Sequence, residues 1–260
     1  MLLLAFDTAT PAVTVAVHDG TSVLAHATTV DARRQGELLA SHIEKVLAQA
    51  GADLSELTAV VAGAGPGPYT GLRTGLVTAR VLGNALGIPV HGVCTLDVIA
   101  GDAVAAADGR PFLVATDARR REVYWARYSA AGERLSGPGV ASPASLPAGF
   151  PAAGEGPVFH PGLGEPIEPR FPSAAMLAGL AAGWLAAGPV TAGPVTAGPV
   201  TAGPVTAVEP PSEELTAPGG LLPPEPLYLR RPDARPPGPA KSVLADRDRA
   251  PRAGSGVSPA

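Results

Sequence analysis

The sequence predicts a mixed α/β chain made of two related halves that face each other across a cleft. Two observations carry this. Short apolar strands alternate with segments of helical periodicity from Leu2 to Ala107. A strand that ends in an acidic turn and returns as a second strand occurs twice, once at Asp7 and again at Asp117.

Leu2 to Phe6 is an apolar strand ending in Asp7, Thr8, Ala9 and Thr10, and the alternation of Val13, Val15 and Val17 completes a hairpin. Thr21 to Val30 reads as a third strand. From Gln35 to Ala50 the apolar residues Leu39, Ile43, Val46, Leu47 and Ala50 share one helical face, and Gly51 supplies the stop. Thr58 to Ala62 is a short buried strand. The loop from Gly63 to Thr70, GAGPGPYT, then delivers the chain into a helix from Gly71 to Leu86 with Thr70 as N-cap. On that helix Leu72, Leu76 and Ala79 share a face, while Gly75, Ala79 and Gly83 form a small-residue stripe that another helix could approach closely. Pro89 to Val93 is a further strand and Asp97 to Ala107 a helix.

The second half opens at Phe112 with an apolar run to Ala115, followed by Thr116, Asp117, the alternating strand Val123 to Tyr128 and a turn at Gly132. Residues 1–108 and 109–231 are therefore expected as two subdomains. After Ser136 the pattern fades, apart from a helical segment from Ser173 to Ala187. Residues 187–206 are four tandem copies of AGPVT; a proline every fifth residue forbids a helix and spoils a sheet, so an extended or disordered insertion is expected. PLYLRR, Pro226 to Arg231, reads as a last strand, and 232–260 as a disordered tail.

Of 260 residues 46% are apolar, enough for a sizeable core, while 30 prolines and 32 glycines imply uneven order. A net charge of −4, from 19 basic and 23 acidic residues, gives no broad footprint for wrapping nucleic acid or coating an anionic membrane. The single cysteine, Cys94, has no disulfide partner and no second thiol for a zinc site, so a reducing cytosol is the expected compartment. The Met1 to Phe6 run is too short for a signal segment, and no stretch reaches the roughly 18 apolar residues of a membrane span.

The GPGPYTGLRTG segment places backbone N–H groups at a helix N-terminus, which suits an anion, but lacks the Gly-Lys-Ser/Thr of a nucleotide-binding P-loop and is not GxGxxG; it reads either as an anion site or as loop punctuation. Asp7 and Asp117 could hold magnesium near phosphates, with the Thr8 and Thr10 hydroxyls in support, or be ordinary turn acids. The five histidines (His18, His26, His42, His91 and His160) include no i, i+4 pair and adjoin no carboxylate cluster, which argues against a histidine metal site. Cys94 reads as a buried thiol, not a nucleophile, and no GxSxG elbow is present.

Taken in order, LAFDTAT, GPGPYTGLRTGL, IPVHGVCTLD, DARRREVYWARY and PLYLR resemble the TsaB (YeaZ) family, chiefly over residues 1–130. The resemblance implies an actin-like, sugar-kinase-like (ASKHA) fold. It also implies a noncatalytic scaffold or activator that dimerises with TsaD, the enzyme placing threonylcarbamoyl on the adenosine next to the anticodon of tRNA. The ATPase TsaE is implied as third component, tRNA as an indirect partner, and self-association as a property of the same surface. No cofactor of its own is implied, only ATP or ADP at the partner interface. Where TsaD carries a metal-binding histidine pair, this chain has Cys94, Thr95, Leu96 and Asp97. The family's partner interface falls on Leu39, Ile43, Leu72, Gly75, Leu76, Ala79 and Gly83, and a nucleotide, if bound, on Asp7, Thr8 and Asp117. Gln35 and Gly36 replace the usual His and Ser, Arg121 stands where Gly is common, and Ala9 where kinase-like relatives favour Gly. The rival expectation is an ATP-dependent kinase or transferase of the same superfold. A third is direct tRNA contact by the segment from Pro226 to Ala260, whose seven basic and three acidic residues give +4.

Overall fold

The computed structural model describes residues 1–187 and 220–229. Its first sheet has five strands in the order β3-β2-β1-β4-β5: β1 Leu3–Asp7, β2 Ala12–His18, β3 Val23–Val30, β4 Ala59–Gly65 and β5 Val90–Cys94. β1 pairs antiparallel with β2 and parallel with β4, so the hairpin read from the sequence is flanked by a crossover. That crossover is α1, Gln35–Ala50, and the next is α2, Tyr69–Leu86. Each helix ends at a glycine in the left-handed region, Gly51 (φ +64°) and Gly87 (φ +67°), where a Cβ would be unfavourable.

The central strands read as continuous apolar runs because both faces are covered. Leu4, Phe6, Val60 and Ala62 pack under α1 and α2 with Leu39, Ile43, Val46, Leu76 and Ala79. Ala5, Val61 and Val93 face α5, Ala174–Ala186, whose Leu177, Ala178 and Ala181 cover the other side. Ser173 caps α5 by accepting from the Met176 N–H, and donates its own hydroxyl to Asp102 at 2.7 Å.

The second sheet has the order β8-β7-β6-β9: β6 Phe112–Asp117, β7 Val123–Tyr128, β8 Arg134–Ala141 and β9 Ala152–Ala153. It repeats the first sheet's scheme of an antiparallel meander with a parallel neighbour on the starting strand. The halves differ in their crossovers. Where the first half has the sixteen-residue α1, the second has one 3-10 turn, Pro143–Ser145, and the counterpart of α2 is the single turn α4, Gly156–Phe159. Between the sheets lies α3, Thr95–Ala103, with Leu96, Ile99 and Ala103 against Phe112, Val114, Ala126 and Tyr128. The 108/109 boundary falls between the two sheets, while α5 returns to the first.

Several sequence expectations need correction. α2 begins at Tyr69 with Pro68 before it, so Thr70 lies in its first turn and is not the cap. α3 starts two residues early and ends at Ala103. β8 was not anticipated: Gly137 and Pro138 fall where its register against β7 shifts, a bulge on an edge strand, the setting in which a sheet tolerates proline. Pro226 to Leu229, the described part of the PLYLRR segment, form no strand. Pro223, Pro224 and Pro226 lack the N–H groups a ladder needs. Residues 220–229 lie instead as an extended strap held by a Leu222–Gly92 bridge and by the Leu227 N–H donating to the Ala64 carbonyl at 2.9 Å. The AGPVT repeats beyond Ala187 and the 232–260 tail lie outside the described residues, and among those described no helix is long and apolar enough to cross a membrane.

Candidate functional site

Asp7 and Asp117 occupy equivalent places, each the last residue of its sheet's starting strand and each accepting the N–H two residues on, from Ala9 and Arg119, at 2.7 Å. Their surroundings differ. Asp7 is fully buried. Its second oxygen accepts the Thr95 hydroxyl at 2.7 Å, and the Thr95 oxygen in turn accepts the Gly65 N–H at 3.2 Å. A Cβ built on Gly63 would stand 1.9 Å from Asp7 Oδ2, so β4 closes over the carboxyl as only a glycine allows. Burial raises the Asp7 pKa above the usual carboxylate value, and the bonds from Thr95 and Ala9 oppose that only in part.

The threonines of the same turn are also committed internally. Thr8 donates its hydroxyl to the Gly71 carbonyl at 2.7 Å, and Thr10 Oγ1 accepts the Ala12 N–H. The glycine-rich loop packs directly on this turn: a Cβ on Gly67 would meet the Ala9 carbonyl oxygen at 2.2 Å, and one on Gly71 the Thr8 carbonyl oxygen at 2.3 Å. The Gln35 amide joins the assembly by donating to the Thr8 and Thr10 carbonyls at 3.1 and 2.8 Å. Of the two readings of GPGPYTGLRTG, close packing accounts for its glycines.

Asp117 is open. It lines a cleft of about 70 Å³ between the halves, together with Ala9, Thr10, Pro11, Pro68, Thr116, Arg119, Glu155 and Phe159. This is well below the roughly 300–1,000 Å³ of small-molecule pockets. Asp7 does not line it, although Ala9 and Thr10 of its turn do. The turn after Asp117 carries Arg119, Arg120 and Arg121 at φ +62°, +56° and +62°, where β-carbon residues are strained. The departure noted at Arg121 is thus an arginine in a conformation that favours glycine.

At the β5–α3 junction each side chain is occupied. The Cys94 thiol is buried and pushed up to about 12, first by burial and then by the nearby Asp97, which removes it as a nucleophile. Asp97 accepts from the Tyr128 hydroxyl at 2.7 Å and meets Arg134 at 3.4 Å, a buried charge group that fastens α3 to the second sheet. Of the histidines, His42 pairs with Thr29 Oγ1 at 3.0 Å and His18 Nδ1 accepts the Gly20 N–H. Both His91 ring nitrogens are buried without a partner, and burial lowers its pKa.

The seven residues expected at the partner interface are all inside this chain. Leu39, Leu72, Leu76, Ala79 and Ile43 are at most 7% exposed. The small stripe faces the chain's own hairpin and strand, since a Cβ on Gly75 would touch Thr8 Oγ1 at 2.6 Å and one on Gly83 would touch Val90 at 2.1 Å. What α2 leaves open is the next row: Tyr69, Arg73, Val77 and Val81, at four-residue spacing and all exposed. Beside it run Thr70, Thr74 and Thr78; the hydroxyls of the last two donate to carbonyls one turn back, at 3.0 and 2.8 Å. The Tyr69 oxygen accepts from Arg73 at 2.7 Å, and Tyr228 of the strap stacks on its ring at 5.6 Å. Helical periodicity picks out the apolar face of α2, which the chain's own sheet covers, and carries no signal for this exposed row.

Comparison with known proteins agrees with the fold. Residues 22–160, just over half of the chain, match the family model described as TsaD: tRNA N6-adenosine threonylcarbamoyltransferase. An uncharacterized protein of Mycobacterium tuberculosis is 42% identical over 239 residues, 90% of this chain and 94% of its own length. The tRNA threonylcarbamoyladenosine biosynthesis protein TsaB of Escherichia coli is 36% identical over 128 residues, 49% of this chain and 55% of its own. The solved structure of YeaZ from Pseudomonas aeruginosa superposes with a TM-score of 0.63 at 29% identity, covering 72% of this chain and 93% of that one. With the hairpin-and-crossover sheet repeated in both halves, these matches show that the chain belongs to the TsaB (YeaZ) family.

Proposed function

We propose that this protein is a noncatalytic subunit in the synthesis of threonylcarbamoyladenosine on tRNA, working by binding TsaD through the open face of α2. The part in tRNA modification follows from its family, whose E. coli member is named for that pathway. The observation that carries the noncatalytic part is the occupation of the β5–α3 junction. Thr95 is spent on Asp7 and Gly65, Asp97 on Tyr128 and Arg134, and Cys94 is a buried neutral thiol. Residues so committed are held by the fold's own contacts and are poorly placed to serve a substrate.

The partner surface is supported by the chemistry of the α2 row. Exposed Val77 and Val81 lose little on being covered and gain about 25 cal/mol per Å² of apolar area removed from water. The flanking Thr74 and Thr78 hydroxyls keep their intrahelical acceptors when water leaves, so their burial leaves no orphaned donor. Tyr69, Tyr228 and Arg73, already ordered against one another, supply the residue types that dominate binding energy at interfaces. ATP or ADP, where it takes part, sits at the joint surface with TsaD, and TsaE and tRNA engage the assembled pair. In the absence of TsaD the same row lets two copies of the chain associate.

Size-exclusion chromatography of the purified chain mixed with TsaD tests this. Co-elution by the wild type and separate elution after Val77→Asp support the reading; separate elution of the wild type, or co-elution that Val77→Asp leaves intact, removes it.

A further inference from the structure

The repeated half-fold places two acids at equivalent strand ends, and only one has been closed off. Around Asp7, Gly63 lets β4 close over the carboxyl and Thr95 satisfies it. Around Asp117 the equivalent space stays open as the cleft, and a second carboxylate enters it from the residue after Gly154. That residue is Glu155, which lines the cleft while being only 4% exposed. Its one ion pair among the described residues is with Arg170, at 4.0 Å, the outer limit of such a pair, and Arg119 adds a weaker attraction. Thr116 lines the same cleft, 3% exposed, and its Oγ1 is buried with no hydrogen-bond partner. A buried hydroxyl oxygen without a partner and a buried carboxylate whose one ion pair is long can both be satisfied by a hard cation or the water bound to one.

We propose that the Asp117–Glu155 cleft binds a divalent cation of the magnesium type, held by those two carboxylates with the Thr116 hydroxyl and retained water. Burial raises the Glu155 pKa most; Arg170 opposes the rise, Asp117 across the cleft adds to it, and Arg119 opposes it more weakly. Arg119 pairs with Asp117 at 3.0 Å, but its side chain is 69% exposed, and an exposed pair of this kind is worth only about 0–1 kcal/mol. A divalent ion therefore displaces Arg119 into solvent at little cost. The volume of about 70 Å³ suits an ion with part of its water shell and not a nucleotide. The site is independent of the α2 surface.

The test is titration of the full chain, stripped with chelator, with Mn²⁺ followed by electron paramagnetic resonance, then competition with Mg²⁺. The expected result is saturable binding of one Mn²⁺ per chain, reversed by Mg²⁺ and weakened at least about tenfold by both Glu155→Gln and Asp117→Asn. Asp117→Asn alters a partly exposed residue and keeps the test valid should Glu155→Gln disturb folding. No saturable binding at millimolar Mn²⁺, or binding that Asp117→Asn leaves unchanged, overturns the proposal.

Discussion

Thr95 donates its hydroxyl to Asp7 across 88 positions of sequence, at 2.7 Å, and the same oxygen accepts the Gly65 N–H. One side chain thereby joins the start of α3 to the acidic turn of β1 and to the end of β4. Thr95→Val keeps the shape and removes the hydroxyl, leaving a buried carboxylate oxygen and a buried N–H without partners. The expected loss is about 2–3 kcal/mol of unfolding free energy, read as a lower urea midpoint with an unchanged slope.

Asp7 makes stability depend on pH in a defined direction. Burial raises its folded pKa above the usual value, so between the two values the native state holds a proton that the unfolded chain has released. Stability falls as pH rises through that window. Asp7→Asn carries no charge and loses nothing there. The stability of Asp7→Asn relative to wild type should therefore improve on going from pH 3.5 to neutrality, a trend that thermal melts at a series of pH values read directly; a relative stability that falls over this range contradicts the burial account.

Arg121 holds a left-handed backbone at φ +62°, with Arg119 and Arg120 alongside. A residue with a β-carbon is strained there by roughly 1–2 kcal/mol, and glycine's greater unfolded entropy returns part of any gain. Arg121→Gly should raise stability by about 0.5–1 kcal/mol. Denaturant unfolding of the two proteins side by side measures it.

Neighbouring positions on α2 should respond in opposite ways. Ala79 is fully buried against the sheet, so Ala79→Arg places a charge in the core and is expected to prevent folding. Val77 is 52% exposed, so Val77→Asp should change stability by no more than about 0.5 kcal/mol. Circular dichroism melts distinguish the two, and a stable, folded Ala79→Arg would mean that the stripe is a surface after all.

Much of the fold was legible because the first half obeys its local signals. The α1 periodicity, the Gly51 stop and the valine alternation of β2 all agree with the elements formed. The repetition at Asp7 and Asp117 was legible as well, and the matching strand orders support it. β8 was lost to Gly137 and Pro138, whose bulge breaks the alternation that marks a strand. The site was harder to read. Periodicity marks the apolar face of α2, Leu72 and Leu76 among it, but does not say whether the chain's own sheet covers that face, as it does here. Glu155, amid the glycines and prolines of the second half, carries no sequence pattern and becomes visible only when β9 brings it beside Asp117.

The most direct test of the central claim is reconstituted threonylcarbamoylation of tRNA with TsaD, TsaE and the adenylate-forming enzyme, comparing no added chain, wild type, Asp7→Asn and Val77→Asp. The account predicts modification that depends on the chain, persists with Asp7→Asn and is lost with Val77→Asp. Modification that proceeds equally without the chain, or that survives Val77→Asp and fails with Asp7→Asn, would contradict it.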